Sequence, residues 1–458
     1  MKKNFLMVGA LMVTAFFAAT EIAKAADVTF GGEVRTRYEI NGQSDYNDTT
    51  EADDFTSTRV RLNANVNVND STSAFIQMQS VRTWGANAAT ASGQGSGNAS
   101  FTASDGDASV GVHQAYFTLK NFATLPVDAQ IGRQEVVLDG HRLFGNTGWT
   151  QGAQTHDAMR LTHAHDNMTF VYAWITANDD ALSTGNKDDI EAHLVYFQYA
   201  GILGGKFSAT YTFLNDGCGT NGATCNNQAD DLHNIGFRQA GQLYGIDYRG
   251  EFNYQFGDAR ASANGVAGVT ATGADVDREA YMFGVRIGKA FDNVMMKPGL
   301  TVWYDYLSGT SDEDRAKNEF KSFNTLFDTG HKFYGFMDQY LGVGGGSAAS
   351  GTKGLGLQDI AVKAKLSPMP GWTLKADYHW FFTAEGVAGS PTVGLIGNND
   401  NDLGNELDVT LINKYNANTN ISIGYSNYTT SQTFRGLRTA TVASDSADWA
   451  YVMFDVKF

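Results

Sequence analysis

The chain has 458 residues and a formal net charge of −16, which argues against nucleic acid as a partner. It contains 51 Gly, 20 Tyr and 29 Phe but only 5 Pro and 2 Cys, a composition that favours many strands and turns. No segment after the N-terminal leader is apolar for long enough to predict a membrane helix.

Residues 1–25 have the pattern of a secretory signal peptide. A basic start precedes an apolar run from Phe5 to Ala19, and an A-x-A cleavage site ends at Ala25. The run is short for a membrane-spanning helix, which needs about 20 residues. We therefore expect cleavage after Ala25 and export of residues 26–458 as one domain.

Apolar and polar residues alternate with period two along the rest of the chain. In the run 244–256, aromatic and aliphatic residues occupy the even positions, whereas Asp247, Arg249 and Glu251 lie between them. A soluble sandwich would bury the apolar face, but a membrane barrel turns it toward lipid. Trp372 and Trp380 share one face, and at a tilt near 40° their rings would stand about 20 Å apart along the membrane normal.

Connections between the predicted strands alternate in length. Short ones lie near positions 70, 121, 164, 201, 240, 292, 368 and 416, and long ones cover 41–54, 86–108, 139–155, 178–188, 215–230, 257–276, 309–353, 384–402 and 431–446. This alternation is typical of outer-membrane barrels. We predict an all-β fold, a transmembrane antiparallel β-barrel of about 18 strands with short periplasmic turns and long extracellular loops.

The last strand ends on an aromatic residue. Ala450, Val452, Phe454, Val456 and Phe458 alternate to the C-terminus and would form a lipid-facing stripe. This ending resembles the signal that outer-membrane barrels present to their assembly machinery. We therefore expect Phe458 to contact that machinery, and the outer-membrane lipid to surround the barrel.

Both cysteines, Cys218 and Cys225, lie in one polar loop. Because export places the chain in an oxidising compartment, we predict a local disulfide between them. A metal site is disfavoured because the two thiols lack further ligands.

The polar faces of the strands carry charges of both signs. The predicted basic lumen residues are Arg35, Arg37, Arg59, Arg61, Lys206, Arg238, Arg249, Arg286, Lys363, Lys365, Lys375 and Lys414. The predicted acidic ones are Glu33, Glu39, Asp128, Asp247, Glu251, Asp305, Asp359, Asp377, Glu406, Asp408 and Asp455. The lumen is therefore expected to be mixed in charge.

Two groups of basic residues are the candidate pore-lining sites. Arg35, Arg37, Arg59 and Arg61 lie on adjacent strands, and a second group consists of Lys363, Lys365 and Lys375. Such groups could attract anions into a narrow channel. Alternatively, they brace the wall through ion pairs with residues such as Glu33 and Glu39, and both interpretations stay open.

The segment 309–353 is unusually apolar for an external loop. We expect it to fold into the barrel and narrow the pore, while a contact surface for a partner protein is the alternative. Its apolar residues include Phe320, Phe323, Leu326, Phe327, Phe333 and Phe336.

No metal cofactor is expected. The first long loop is acidic, which favours a solvated surface, with calcium or magnesium bridging to lipid headgroups as the alternative. His163 and His165 lack an assured third ligand. The acidic loop residues are Asp45, Asp48, Glu51, Asp53 and Asp54.

Enzyme motifs such as G-x-S-x-G and H-E-x-x-H do not occur in the sequence. A channel is therefore favoured over a barrel enzyme, and a structural or adhesin-type barrel is the other alternative.

Two stretches resemble the alginate-export family of outer-membrane channels. The first contains Gly132, Arg133, Gln134, Arg142, Asp157 and Arg160, and the second contains Phe323, Phe327, His331, Gly335 and Asp338. The resemblance implies a monomeric barrel that carries a polyanionic sugar through a basic lumen. Because the predicted lumen is mixed in charge, we expect a channel for polar, anionic or saccharide solutes that is not restricted to alginate.

Overall fold

The computed structural model describes residues 27–42, 46, 51–84, 110–178, 190–216, 230–259, 276–341, 351–386, 400–438 and 444–458. Residues 1–25, predicted to be a signal peptide, and both cysteines of the predicted disulfide lie outside these ranges. The strands are β1 (Asp27–Gly42), β2 (Asp53–Asn69), β3 (Thr72–Thr83), β4 (Gly111–Leu119), β5 (Asp128–Gln134), β6 (His156–His165), β7 (Met168–Asn178), β8 (Ile190–Ala200), β9 (Gly205–Asp216), β10 (Asp230–Leu243), β11 (Ile246–Ala259), β12 (Val276–Ala290), β13 (Gly299–Leu307), β14 (Glu319–Phe320), β15 (Leu357–Leu366), β16 (Trp372–Phe382), β17 (Asp402–Lys414), β18 (Thr419–Thr430) and β19 (Ser446–Lys457).

The strands form one closed antiparallel barrel. Apart from β14, which the β13–β15 pairing skips, each strand pairs with its neighbours in the chain. β1 closes the ring by pairing with β19, where Glu33 lies opposite Lys457. Closure removes every exposed edge, as a lipid-embedded sheet requires. The two-residue β14 stands apart because it pairs in parallel with β12. The other eighteen strands confirm the predicted barrel.

The period-two pattern separates the two faces of the wall. Phe252, Trp380 and Phe454 are exposed on the outer face, whereas Arg35 and Asp305 are buried on the inner face. Alternate side chains of a strand point to opposite faces, so the apolar stripes meet lipid and the polar stripes meet the lumen.

Short connections lie at the end of the barrel that holds both described termini. The β10–β11 turn, predicted near Ala240, is instead formed by Tyr244 and Gly245, with φ values of 51° and 73°. Ala240 lies within β10 opposite Arg249. Two central residues with positive φ fit a tight two-residue hairpin turn. β10 therefore runs further than the sequence suggested, and β11 begins at Ile246.

Among the described residues, helical structure is confined to short pieces in the connections. Two α-helices span Asp312–Ala316 and Gln432–Arg438, and 3₁₀ turns span Phe122–Thr124, Ile202–Gly204 and Gly330–Lys332. In the described part of the chain, no helix has the length and apolarity needed to cross a membrane.

The core of the protein lies inside the barrel and is built largely from two connections. Residues 135–155, here called the first inward loop, join β5 to β6, and residues 308–356, the second inward loop, join β13 to β15. Phe144, Phe323, Phe333 and Tyr340 from these loops are almost fully buried. The inward folding predicted for 309–353 is thus confirmed for its described residues. The connection at 139–155, expected outside the barrel, also folds inward.

Candidate functional site

The two inward loops pair with each other within the lumen. Gly145 N–H donates to the Phe327 carbonyl at 2.8 Å, and Phe327 N–H donates to the Leu143 carbonyl at 2.9 Å. Thr329 N–H donates to the His141 carbonyl at 3.1 Å. These backbone bonds satisfy polar groups that would otherwise be costly to bury. The two loops therefore form one ordered structure.

Arg35 ties the first inward loop to the wall. Its guanidinium donates to the carbonyls of Gly148, Trp149 and Thr150 at 2.7 to 2.9 Å and to the Gln151 side chain at 2.8 and 3.0 Å. Five donors in a rigid fork suit such a cluster of acceptors. Arg35 thus holds the loop in place and is only 5% exposed.

The other three arginines of this group are also engaged. Arg37 pairs with Glu39 at 2.7 Å and stacks over the Trp149 ring at 4.2 Å. Arg59 pairs with Glu33 at 2.9 Å, and Arg61 donates to the Gln79 side chain at 2.7 Å. The four arginines of the group lie close together in the structure. Their hydrogen bonds and ion pairs are those expected of residues that brace the wall.

Arg142 connects both inward loops to the opposite wall. It donates to Glu251 at 3.0 Å, to Asp305 at 2.6 Å and to the Tyr334 hydroxyl at 2.6 Å. Its guanidinium also lies 3.8 Å from the centre of the Phe333 ring. A buried charge is tolerated where it is paired and hydrogen-bonded in this way. The family-motif residue Arg142 therefore fixes the loops across the lumen.

Three stacked rings stand where the loops meet. His331 lies between Trp149, at a centroid distance of 4.4 Å, and Phe336, at 5.0 Å, with ring planes within 15° of parallel. The His331 Nδ1 atom is 2.9 Å from Asp338 Oδ1, which orients the ring. We call Trp149, His331 and Phe336 the aromatic stack.

Gly335 and Met337 bring the second inward loop against β17. Met337 N–H donates to Glu406 Oε1 at 2.8 Å. Gly335 has φ +83°, and a Cβ atom there would lie 2.5 Å from Glu406 Oε2. Only glycine fits this contact without strain, which explains Gly335 of the second motif.

A cavity of about 260 Å³ lies on the side of the long connections. Trp149 and Phe336 form part of its lining, together with Arg37, Glu39 and Asp338. We call it the upper cavity. Its charged side chains comprise one cation and two carboxylates, so it is not an anion-attracting surface.

A second cavity of about 440 Å³ lies toward the short connections and is here called the lower cavity. Trp149 and Phe336 line it as well, so the aromatic stack separates the two spaces. Trp303 and Tyr451 add further ring surface. Four cations and one carboxylate complete its charged lining: Arg286, Lys332, Lys363, Lys375 and Asp377.

The cations of the lower cavity are held in different ways. Arg286 and Lys363 lie over the Trp303 ring, at 3.6 and 3.9 Å from its centre, and Lys363 also pairs with Asp377 at 2.8 Å. Lys332 and Lys375 are exposed in the lumen, and neither forms an ion pair with a carboxylate of the described residues. These two lysines are therefore free to meet a solute.

Among the loop groups with shifted pKa values, Asp328 and Lys332 lie close in sequence to His331 of the aromatic stack. Burial raises the pKa of Asp328 to about 7, although the Arg142 guanidinium opposes the shift. Partial burial and the nearby charges of Arg249, Arg238 and Arg142 lower the pKa of Lys332. The charge around the stack therefore becomes less positive as the pH rises.

The remaining predicted residues have other positions. Arg133 and Asp157 form a partly exposed pair at 2.7 Å, Gln134 is buried and donates to the Ala158 carbonyl, and Arg160 donates to the Gln130 side chain. Gly132 has φ +125°, with no room for a Cβ atom beside the Ala115 carbonyl. Phe323 is buried and Phe327 packs on Phe144, while Lys365 is exposed beside the β15–β16 turn.

The described residues show where the histidines of one metal alternative lie. His163 Nδ1–H donates to the Pro126 carbonyl near a turn, and the ring lies 6.4 Å from that of His165. Within the described ranges, no group of three His, Cys, Asp or Glu residues could hold a metal ion. Of the acidic first loop, Asp45 and Asp48 lie outside those ranges.

Trp149 belongs to the first family stretch, but sequence reasoning assigned no role in the lumen to Trp149, Trp303 or Tyr451. Trp303 precedes Asp305 by two residues, so the alternation placed it on the inner face. Tyr451 follows the same rule on β19. Trp149 carried no such signal, because it belongs to a loop whose inward path depends on contacts distant in sequence.

The family model for alginate export matches residues 26–445. The chain belongs to the alginate export family. No curated protein matches the chain. Among solved structures, OccD3 (OpdP) of Pseudomonas aeruginosa is similar with a TM-score of 0.54 and 12% identity over 96% of this chain and 93% of the other.

OccAB1 of Acinetobacter baumannii is similar with a TM-score of 0.53 and 13% identity, over 96% of this chain and 98% of the other. At these identities the likeness concerns the fold, which is that of an outer-membrane porin. Together with the family match, it places this member of the alginate export family in the outer membrane as a channel that passes solutes.

Proposed function

We propose that this channel conducts anionic solutes, and that acidic saccharides are the class its lumen fits best. The lower cavity carries the proposal, because four cations and one carboxylate surround it. A narrow space with low-dielectric walls concentrates ions of opposite charge. Lys332 and Lys375 supply the positive charge that is not already used by a carboxylate.

The ring surfaces of the lower cavity support the saccharide assignment. Trp149, Trp303, Phe336 and Tyr451 line the same space as the lysines. Flat apolar faces pack against the C–H faces of a sugar ring, while its carboxylate pairs with a cation. The volume of about 440 Å³ falls within the ~300–1,000 Å³ typical of small-molecule sites.

The first arginine group has a different role in this proposal. Arg35, Arg37 and Arg59 are buried and paired with loop carbonyls or carboxylates, so they shape the passage and do not bind solute. The barrel acts without catalysis, as a monomer whose C-terminal Phe458 is presented to the assembly machinery. The lack of catalysis and the monomeric state are what the family resemblance implies, and the role of Phe458 is inferred from the aromatic ending of the last strand.

The test is blockade of single channels by a short oligouronate. We expect a tri-uronate to interrupt the current of the native protein more strongly than the neutral trisaccharide maltotriose. Lys332→Gln combined with Lys375→Gln should weaken the blockade while the barrel still assembles, because lumen positions face water and tolerate polar exchange.

Lys289→Gln is the matched control. Lys289 lies on β12 but is exposed away from the lumen, with its ammonium 5.4 Å from the Phe291 ring. Its replacement should leave blockade unchanged. Equal blockade by tri-uronate and maltotriose, or no effect of the double lysine change, would contradict the proposal.

A further inference from the structure

Glu406 is a fully buried carboxylate without an ion-pairing cation among the described residues. It is 0% exposed on the inner face of β17, where its backbone register partner is His379 of β16. Asp408, on the same face of β17, is 1% exposed and accepts from the Ser426 hydroxyl at 2.5 Å. A leucine would occupy this position at far lower desolvation cost, so the carboxylate calls for an explanation.

The contacts of Glu406 point toward the second inward loop. Its Oε1 atom accepts the Met337 N–H at 2.8 Å, and the Gly335 backbone lies against the same carboxylate. Between these two residues is Phe336, which stacks on His331 and lines both cavities. Glu406 therefore contacts both sequence neighbours of Phe336, a member of the aromatic stack that separates the two cavities.

A separate contact holds the end of this segment. The Tyr340 and Tyr428 hydroxyls are hydrogen-bonded, and Tyr428 donates to the Leu403 carbonyl at 2.7 Å. Loss of the Glu406 contact would thus release residues 335–338 while leaving the segment attached beyond them. At the other end of the segment, the Arg142 guanidinium donates to the Tyr334 hydroxyl and so holds the residue that precedes Gly335.

We propose that Glu406 is the positioning residue of the passage: its carboxylate fixes the turn 335–338 against the wall and thereby sets how far Phe336 closes the space between the cavities. The inference rests on the proposed function, since it assigns the element that limits which solutes pass. Glu406 does not bind the solute. It acts through the turn.

Two substitutions disturb the contact from opposite sides. Glu406→Leu removes the acceptor, and Gly335→Ala introduces a methyl group that collides with the carboxylate and meets an unfavourable positive φ. We expect both to raise single-channel conductance and to speed the swelling of proteoliposomes in neutral trisaccharide. Glu406→Gln keeps a carbonyl oxygen that accepts the Met337 N–H, so this variant should retain the conductance of the native protein.

A double substitution separates positioning from general damage. Glu406→Ala creates the space that the Gly335→Ala methyl group needs, so the two changes should be non-additive, as expected for residues in contact. Gln77→Leu is the control for loss of a buried polar group, because in the described part of the chain the Gln77 side chain bonds to Asn63 and Gln114 of neighbouring strands and to neither inward loop. It should leave conductance and swelling unchanged.

The outcomes distinguish this inference from the proposed function. Native protein that fails to discriminate tri-uronate from maltotriose refutes the proposed function. The native protein could discriminate the two solutes while folded Glu406→Leu and Gly335→Ala show unaltered conductance and swelling. That result would refute the positioning role and leave the proposed function standing. If Glu406→Leu does not assemble, Gly335→Ala decides the matter because it leaves the wall intact.

Discussion

The protonation of Asp328 and Lys332 makes the charge of the lumen depend on pH. Burial raises the pKa of Asp328 to about 7, and burial with neighbouring cations lowers that of Lys332. Raising the pH adds a negative charge at Asp328 and removes a positive one from Lys332 earlier than usual. Both changes make the passage less attractive to anions.

We therefore predict that preference for anions falls as the pH is raised through 7. The neutral form of Asp328 is favoured in the folded loop, so its packing is also most stable at low pH and weakens as the pH passes its pKa. The measurement is the ratio of anion to cation permeability at pH 6 and pH 8. Asp328→Asn should remove the step near 7.

Asp312→Asn provides the control for this pH effect. Asp312 lies on the same loop but is largely exposed and pairs with Arg315 at 3.1 Å. Its neutralisation should leave the pH profile as in the native protein. A profile that is flat in the native protein, or unchanged by Asp328→Asn, would contradict the role given to Asp328.

Single residues were predicted from sequence with uneven success. The alternation correctly placed Lys363, Lys375 and Arg286 on the inner face, because a strand fixes the direction of each side chain. It could not show that Arg35 and Arg59 are covered by a loop. That covering depends on backbone carbonyls more than 100 positions away for Arg35, and no local pattern encodes such a contact.

The second inward loop is the element that narrows the lumen. Replacing residues 320–340 by a direct join should raise conductance and reduce discrimination among solutes, because the aromatic stack loses His331 and Phe336. The wall keeps its own ladder bonds and should remain folded. Single-channel recording and the heat-dependent gel mobility of the barrel measure the two properties.

A glycine/serine linker of equal length is the companion variant. It preserves loop length and removes only the side chains that anchor the segment, so its conductance should also exceed that of the native protein. Unchanged conductance in both variants would mean that the segment does not bound the passage.

At the element scale, strand positions followed directly from alternation, and connections did not. The apolar content of 309–353 predicted an inward path, since Phe323 and Phe333 could not remain in water. The first inward loop has only two aromatic residues other than histidine, Phe144 and Trp149, and gave no such signal. Its inward path is fixed by Arg35 and Arg142, each of which makes contacts that appear only when the barrel has closed.

The whole molecule combines a rigid wall with two loops that are bound to it by buried charges. Closure at the β1–β19 seam joins Gly32 and Phe458 by two backbone hydrogen bonds, of 2.7 and 3.1 Å. The outer face is apolar and the lumen is mixed in charge, as predicted. The positive excess is local, because it surrounds the lower cavity and does not extend to the upper one.

The reversal potential of the native channel across a salt gradient tests the central claim most directly. It should be measured at low ionic strength, since the Debye length is about 30 Å at 0.01 M and only about 10 Å at 0.1 M. Because the lower cavity is positively charged, we predict a reversal potential with the sign expected when chloride is the more permeant ion. This reversal potential should be smaller at higher salt concentration. A potential of the sign set by the cation, or none at low salt, would contradict an anion-conducting channel.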